Sequence, residues 1–325
     1  MFKLNEDSLG KQPLFLCAIF VPIFVFIVTG YFAWSDKTID LSSTGFNHFL
    51  EISKLPLGIL SLSIPFVAIV AHIHRTIQTA KQIELTNEKN VTDRFYAHHK
   101  YITESLSKIS SEKFSVNDEY ITLNISSPFL LYRDIYPNAS PSDGINHKDK
   151  SELFIKIIKS LQKIDETLNK SEATYKLLPS LPAETQVLNL GEILNSIYSI
   201  AKDLHISKEV INLPNKYVCL LKFMSVKIKL VTTLNSEDQL KDYISAIYSI
   251  ANKIFDIFQV DNIPPLIAIN HYINKGKKYH FHNIFPKFVY AEKQSIQLAI
   301  GEHVFNDEEY EHYELSLGEA LSSNV

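Results

Sequence analysis

Two histidines one residue apart, His280 and His282 in "YHFHN", are the first place where residue type and spacing could do chemistry. On a strand, side chains two positions apart leave the same face, so the pair would offer two imidazoles to one metal ion. His271, His303 or His312, with Glu302 or Glu311, would supply further ligands. The spacing fits no metal signature, however, and an HxH beside Lys277 and Lys278 also reads as ordinary surface. His98 and His99 read as residues on a helix surface. The chain has no GxxxxGK[ST] phosphate loop, GxSxG elbow, HExxH helix, EF-hand loop or CxxC pair, and its 9 glycines make backbone phosphate cradles scarce. These absences disfavour an NTPase or a serine hydrolase. No catalytic residue is assigned and no cofactor is expected. A membrane-tethered hydrolase or nuclease using a His site stays as the enzymatic alternative, and a passive membrane-anchored sensor or scaffold as the non-enzymatic one.

A second group of polar residues lies in and just beyond an apolar run. Ser61 stands four residues before Pro65, where proline frees a carbonyl, and its hydroxyl is placed to relieve that local polar defect; Ser63 lies between them. Such a site is either a kink in a gating helix or the ordinary Pro and Ser content of an anchor. His72, His74, Arg75, Gln78 and Gln82 follow, and on a helix Arg75, Gln78 and Gln82 make one polar strip. The strip either anchors a helix at lipid headgroups or lines a vestibule when several subunits assemble. No acid or base inside the apolar run accompanies these residues, so proton-coupled transport is disfavoured.

The elements that must position these residues begin with two uncharged stretches. Neither Gln12 to Ser35 nor Leu55 to His74 contains Asp, Glu, Lys or Arg. At about 1.5 Å per helical residue, each run is long enough to cross a hydrocarbon layer roughly 30 Å thick. Neither keeps the polar stripe of a soluble helix, and no small-residue cleavage site follows "YFAW" as a secretory signal would require. Lys3 and Lys11 precede the first run and Arg75, Lys81, Lys89 and Arg94 follow the second, while the connection holds only Lys37 and Lys54 against Asp36, Asp40 and Glu51. The positive-inside bias then places both termini in the cytoplasm, with Tyr31 and Trp34 at the outer interface. Cys17 falls in the first run and Cys219 in an apolar helical pattern, so no disulfide framework is expected. The net charge of -4 does not point to nucleic acid.

From Phe66 to Phe114 there is neither Pro nor Gly, and helix is the economical reading for that whole length. Its polar middle, "KQIELTNEKN", predicts a solvated stalk or a surface that meets identical surfaces in an oligomer. Ser115 to Lys148 reads as a long irregular connection that packs on something. A helix start at Asp149 with Glu152 leads into Leu153, Phe154, Ile157, Ile158, Leu161, Ile164 and Leu168 on one face. Further amphipathic helices are predicted at Val187 to Leu204, Tyr217 to Leu234 and Leu240 to Phe258, the last with Ser236 and Gln239 as a capping box. "IYSIA" occurs at Ile197 to Ala201 and again at Ile247 to Ala251, read as core packing. Lys275, Lys277, Lys278 and Lys287 form a basic patch, and "NDEEYEHYE" near the end is acidic. The expected architecture is mainly α: a two-helix transmembrane hairpin, a long juxtamembrane helix and a mostly helical cytoplasmic domain with a small extended or β element near the C-terminus. Its segments are 1–11 cytoplasmic, 12–35 and 55–74 membrane-spanning around an external loop 36–54, 75–114 juxtamembrane, 115–148 irregular and 149–325 sensory or regulatory.

The stretch Lys54 to Glu104, with "HRTIQTAKQIE" and "FYAHHKYI", and the later "LYRDIYPNAS", resembles the two-span transmembrane effectors encoded with bacterial retrons. The likeness covers the second apolar run and the region after it, and the rest only by length and layout. It implies a toxin-like inner-membrane protein of phage defence. In that family a reverse transcriptase and its RNA–DNA product restrain the effector, which on release damages the membrane and stops growth. Two spans are too few to enclose a pathway alone, so permeation would require a homo-oligomer in the lipid bilayer. Leu131, Tyr132, Arg133 and Tyr136 in "LYRDIYPNAS", and Glu308 and Glu309 in the acidic tail, are the candidate partner-docking residues.

Overall fold

The computed structural model of the chain describes residues 5, 7–117, 119–145, 152–177, 183–213, 215–223, 226–274, 279–291 and 301–305. It is mostly helical, with two candidate membrane-spanning helices and few strands. The chain divides into two compact units, Met1–Asp93 and Arg94–Val325.

In the first unit, α1 (Pro13–Trp34) starts on a proline, whose missing N–H is no loss in the first helical turn. Thr29, a polar group inside this apolar helix, donates its hydroxyl to the Val25 carbonyl at 2.8 Å. The connection after α1 is not a plain loop: it contains α2 (Ser43–Ile52), whose Ser42 cap accepts the Gly45 N–H at 3.1 Å. The second apolar run is also more than one straight helix. It divides into α3 (Lys54–Ser61) and α4 (Ser63–Ser107) at Leu62. Pro65 has no N–H for the Ser61 carbonyl one turn earlier, and the Leu62 N–H turns back to the Ile59 carbonyl at 3.1 Å. α1 packs against α3. Even so, Phe20, Phe24, Phe32, Leu55, Ile64 and Phe66 stay exposed. Both apolar helices, Pro13–Trp34 and the stretch Lys54–Ser107, are long and apolar enough to cross a membrane.

The second unit takes in the last turns of α4, where Ile102 and Leu106 are buried. α4 ends at Ser107, so the helix expected as far as Phe114 is corrected. A two-stranded hairpin follows, β1 (Glu112–Val116) paired with β2 (Glu119–Leu123). Its residues obey period two, not 3.6: Phe114, Val116, Ile121 and Leu123 are buried in alternation. Asn117 turns the chain at φ 50, a left-handed conformation that Asn tolerates. The expected irregular connection is therefore corrected at its start, and again in its middle, where α5 (Pro128–Ile135) forms with Pro128 in its first turn. Next come α6 (Leu153–Leu177) and α7 (Ala183–Asp203), packed on each other. On α6, Phe154, Ile157, Leu161, Ile164 and Leu168 are buried; Asp149, offered as its start, lies outside the described residues.

The segment Tyr217 to Leu234 is the clearest correction, since it forms no helix. It makes β3 (Lys216–Phe223) and β4 (Val226–Thr232), the centre of an antiparallel sheet. "VKIKLVT" alternates lysine with β-branched or apolar residues, and that period favoured a strand over the helix that a nearly continuous apolar run also fits. Cys219 is accordingly a strand residue, and burial pushes its thiol up to about 11, which keeps it unreactive. After α8 (Glu237–Phe258) and α9 (Ile267–Ile273), β5 (Val289–Ala291) and β6 (Gly301–Phe305) complete the sheet in the order β5-β3-β4-β6. The two "IYSIA" copies lie on α7 and α8 and bury the same positions: Ile197, Ile200 and Ala201 in one, Ile247, Ile250 and Ala251 in the other. Ser236 caps α8 as expected, accepting the Gln239 N–H at 3.4 Å. Gln239 reaches one residue further back than a capping box requires, accepting the Asn235 N–H at 2.9 Å.

Candidate functional site

In the first unit the two serines of the second apolar run are satisfied by carbonyls three residues back. Ser61 donates to the Gly58 carbonyl and Ser63 to the Leu60 carbonyl, each at 2.7 Å. The Ser61 hydroxyl thus does not serve the carbonyl that Pro65 frees, which is its own. Further along α4, His72 and Arg75 line a shallow groove with Thr76, Thr79, Ala80 and Ile83. The Thr76 and Thr79 hydroxyls turn onto the His72 and Arg75 carbonyls at 3.1 and 2.9 Å, leaving the Arg75 side chain exposed. Arg75, Gln78 and Gln82 of the predicted strip are all exposed, and of the three only Arg75 lines this groove.

His74, singled out in the sequence with this polar group, has a partner that the sequence did not show. His74 is buried, and its Nε2 lies 2.6 Å from the Asp7 carbonyl oxygen. Gln12, also buried, donates from Nε2 to the same Asp7 carbonyl at 3.2 Å. The residues before α1 therefore clasp the polar end of the apolar part of α4. A buried polar group needs such a partner, and the doublet of His72 and His74 beside an uncharged run was the available signal.

In the second unit, two of the three stretches singled out in the sequence meet. "FYAHHKYI" supplies Phe95, His98 and His99 from α4, and "LYRDIYPNAS" supplies Tyr132 and Tyr136 from α5 and its end. The Tyr132 hydroxyl and His98 Nδ1 share a hydrogen bond at 3.2 Å. The His99 ring meets Tyr132 edge to face at 4.5 Å between centroids, and His98 meets Tyr136 at 5.2 Å. Phe129 lies 5.5 Å from His99, and Tyr136 continues to Phe258 at the end of α8 at 6.2 Å. Burial, with Tyr136 adding to it, pushes the Tyr132 hydroxyl up to about 12, and burial also raises Tyr136. Both phenols therefore keep their protons at neutral pH. No family model, curated protein or solved structure matches this chain.

This packing corrects two expectations. Leu131, Tyr132 and Tyr136 are core residues, not a docking surface, because the turn of α5 that carries them faces inward; Arg133 alone of that group is exposed. His98 and His99 are half-buried among rings and do not lie on an open helix surface. Glu308 and Glu309 lie outside the described residues, as do Lys275, Lys277, Lys278, Glu311 and His312.

The HxH pair does not form a site either. His280 and His282 sit in a bend and a turn, not a strand; His280 is buried and His282 exposed, so they do not share a face. What organises this region is Glu237 in the first turn of α8. Its buried carboxylate accepts the His280 N–H at 2.6 Å, the Phe281 N–H at 2.9 Å and the Tyr272 O–H at 2.9 Å. Lys241, one turn along, places Nζ 4.1 Å from the Tyr279 ring centroid and 5.1 Å from that of Tyr272. Burial pushes the Glu237 pKa up, and the three donors and the Lys241 charge pull it back part of the way. The arrangement ties the residues after α9 to the first turn of α8. Among the described residues no group of three or more His, Cys, Asp or Glu is placed to hold a metal ion.

Proposed function

We propose that this chain is a membrane effector of a retron phage-defence system, restrained by a reverse transcriptase and its RNA–DNA product. On release it oligomerises in the inner membrane and breaks the permeability barrier. The observation that carries the reading is that α4 runs without interruption from an apolar segment into the His98–His99–Tyr132–Tyr136 junction, and that this junction is built from two of the three stretches bearing the resemblance. α1 and α3–α4 form the transmembrane hairpin, both termini are cytoplasmic, and the second unit receives the signal. A change in the packing of α4 against α5 is conveyed along α4 to the spans. Thr76, Thr79 and Thr86 each close a hydroxyl onto the carbonyl four residues back, so this stretch of helix keeps its own polar groups satisfied in water.

The test is expression without the reverse transcriptase and its RNA–DNA product. The expected result is prompt depolarisation, with leakage of a small dye from vesicles carrying the purified chain. Replacing His98 and His99 by Ala is expected to abolish toxicity while leaving the protein in the membrane fraction. Vesicles that hold their dye under conditions toxic to cells would reject the pore reading, and a chain that is fully water-soluble without detergent would reject the membrane reading.

A further inference from the structure

The segment between the two apolar helices is more structured than a tether requires. Trp34, the only tryptophan of the chain, ends α1 and donates its indole N–H to Ser53 Oγ at 2.9 Å, just before α3. It also stacks on Phe49 of α2 with 5.8 Å between ring centroids. Asp40 accepts the Ser42 N–H at 2.9 Å, and the Ser42 amide and hydroxyl hold its carboxyl below the usual range. A side chain at Gly45 would collide with the Asp40 carbonyl oxygen, so only glycine lets the loop close onto the start of α2. These contacts fix α2 to the ends of both apolar helices.

α2 is divided lengthwise. Thr44, Asn47, His48 and Glu51 recur at spacings of three and four along one side; Phe46, Phe49 and Leu50 occupy the other. Beyond the Trp34 ring on Phe49, the apolar side stays largely open among the described residues: Phe46 is 57% exposed, Phe49 44% and Leu50 56%. Ile39 and Leu41, just before the helix, are exposed with them. α2 carries neither Lys nor Arg. An apolar face of this kind, tied to the ends of two helices that can cross a bilayer, is at the depth where hydrocarbon gives way to headgroups.

Resting on the two-span reading, we infer that α2 is an interfacial helix: it lies in the plane of the membrane at the end of the hairpin away from the chain termini, with Phe46, Phe49 and Leu50 in the acyl boundary and Asn47, His48 and Glu51 toward water. The partner is the lipid surface itself. The hold is apolar, since α2 has no cationic side chain to draw anionic headgroups. Interfacial Trp34 and this helix together set how far the hairpin enters the bilayer.

The experiment uses the full chain in phosphatidylcholine vesicles. In the unmodified protein, the fluorescence of Trp34 is expected to be quenched severalfold more by a nitroxide near the headgroup than by one deep in the acyl chain. Spin labels are then placed singly by Phe46→Cys, His48→Cys, Leu50→Cys and Glu51→Cys in a Cys17→Ser, Cys219→Ala background, with Phe24→Cys as reporter of the span. Labels at 46 and 50 are expected to collide with oxygen severalfold more than with an aqueous nickel chelate, with the reverse at 48 and 51, and added phosphatidylglycerol should leave the pattern unchanged. If all four α2 positions favour nickel while position 24 favours oxygen, the hairpin spans but α2 is in water, and the inference is overturned. Protection at 46 and 50 that is lost as protein is diluted in lipid would assign the face to a second copy and overturn it as well. Nickel access at position 24 removes the two-span reading itself and takes this inference with it.

Discussion

Tyr132 provides the sharpest test of the His–aromatic junction. Tyr132→Phe keeps the ring and removes the hydroxyl that shares the 3.2 Å hydrogen bond with His98, at a cost of about 0.5–1.5 kcal/mol. Tyr132→Ala also removes the ring that touches His99 at 4.5 Å and Tyr136 at 5.3 Å, in a residue that is almost wholly buried. Truncating a buried aromatic side chain costs roughly 3–5 kcal/mol. In a unit of this size each kcal/mol moves the melting temperature by about 2–4 °C, so Tyr132→Ala should lower it by roughly 6–20 °C and Tyr132→Phe by about 1–6 °C. Calorimetry of the full chain in detergent micelles reads the transition, with near-ultraviolet circular dichroism following the tyrosines. A double-mutant cycle with His98→Ala isolates the pair, and a coupling of about 0.5 kcal/mol or more is expected for groups in contact. If Tyr132→Ala melts with the parent, or if the Phe variant loses as much as the Ala variant, the junction is not the packed element derived above.

Three further outcomes follow from other contacts. Glu112 accepts from Ser249 at 2.7 Å and from Lys253 at 2.6 Å; partial burial works to raise its pKa, but the Lys253 and Ser249 hydrogen bonds and the Lys253 charge outweigh it and hold it below the usual range. A lowered folded pKa contributes stability above the ordinary carboxylate value that is lost as pH falls through the folded one, so melting temperature should drop on acidification below that value, and less so in Glu112→Gln. Glu237→Ala leaves two backbone amides and the Tyr272 hydroxyl without their acceptor and Lys241 without its counter-charge; a loss of about 3–5 kcal/mol is expected by thermal unfolding, with Glu237→Gln losing less. Gly30→Ala would set a methyl 2.6 Å from the Trp34 ring, which Ser53 and Phe49 hold in place. Overpacking of that kind costs about 1–3 kcal/mol, and it should appear as a shifted Trp34 emission with the membrane fraction unchanged.

Legibility in the sequence followed how many physical signals agreed at each place. α6 and α8 combine a 3.6-residue apolar period with, in α8, a Ser236 cap, and both helices form where those signals stand. The two apolar runs were legible for a different reason: the absence of charge over a span's length is a signal that needs no neighbour to interpret it. Tyr217 to Leu234 was misread because a largely apolar run fits a strand and a helix face alike, and only the alternation of Lys227 and Lys229 with Ile228 and Leu230 separates them. The β1–β2 hairpin was hidden for want of Gly or Pro; an Asn at positive φ makes its turn instead. α2 was overlooked because ten residues between two spans read as loop until Ser42, Gly45 and Trp34 are seen to fix it.

The site was harder to read than the fold because its members are distant in sequence and ordinary one by one. His98 in α4 and Tyr132 in α5 are separated by 34 positions, and neither local stretch says that the other faces it. The resemblance marked both stretches but assigned "LYRDIYPNAS" to a docking surface, since Tyr and Arg in a Pro- and Ser-rich segment have the composition of one. α5 decides otherwise: Pro128 starts a helix of only two turns, and a helix that short is stable only if one side is packed, which turns Leu131, Tyr132 and Ile135 inward and leaves Arg133 in solvent. The same logic applied to α2 gives the opposite assignment. It too is short and two-sided, but among the described residues its apolar side has only the Trp34 ring on Phe49 and otherwise stays open, and that open face is the one the interfacial inference gives to lipid.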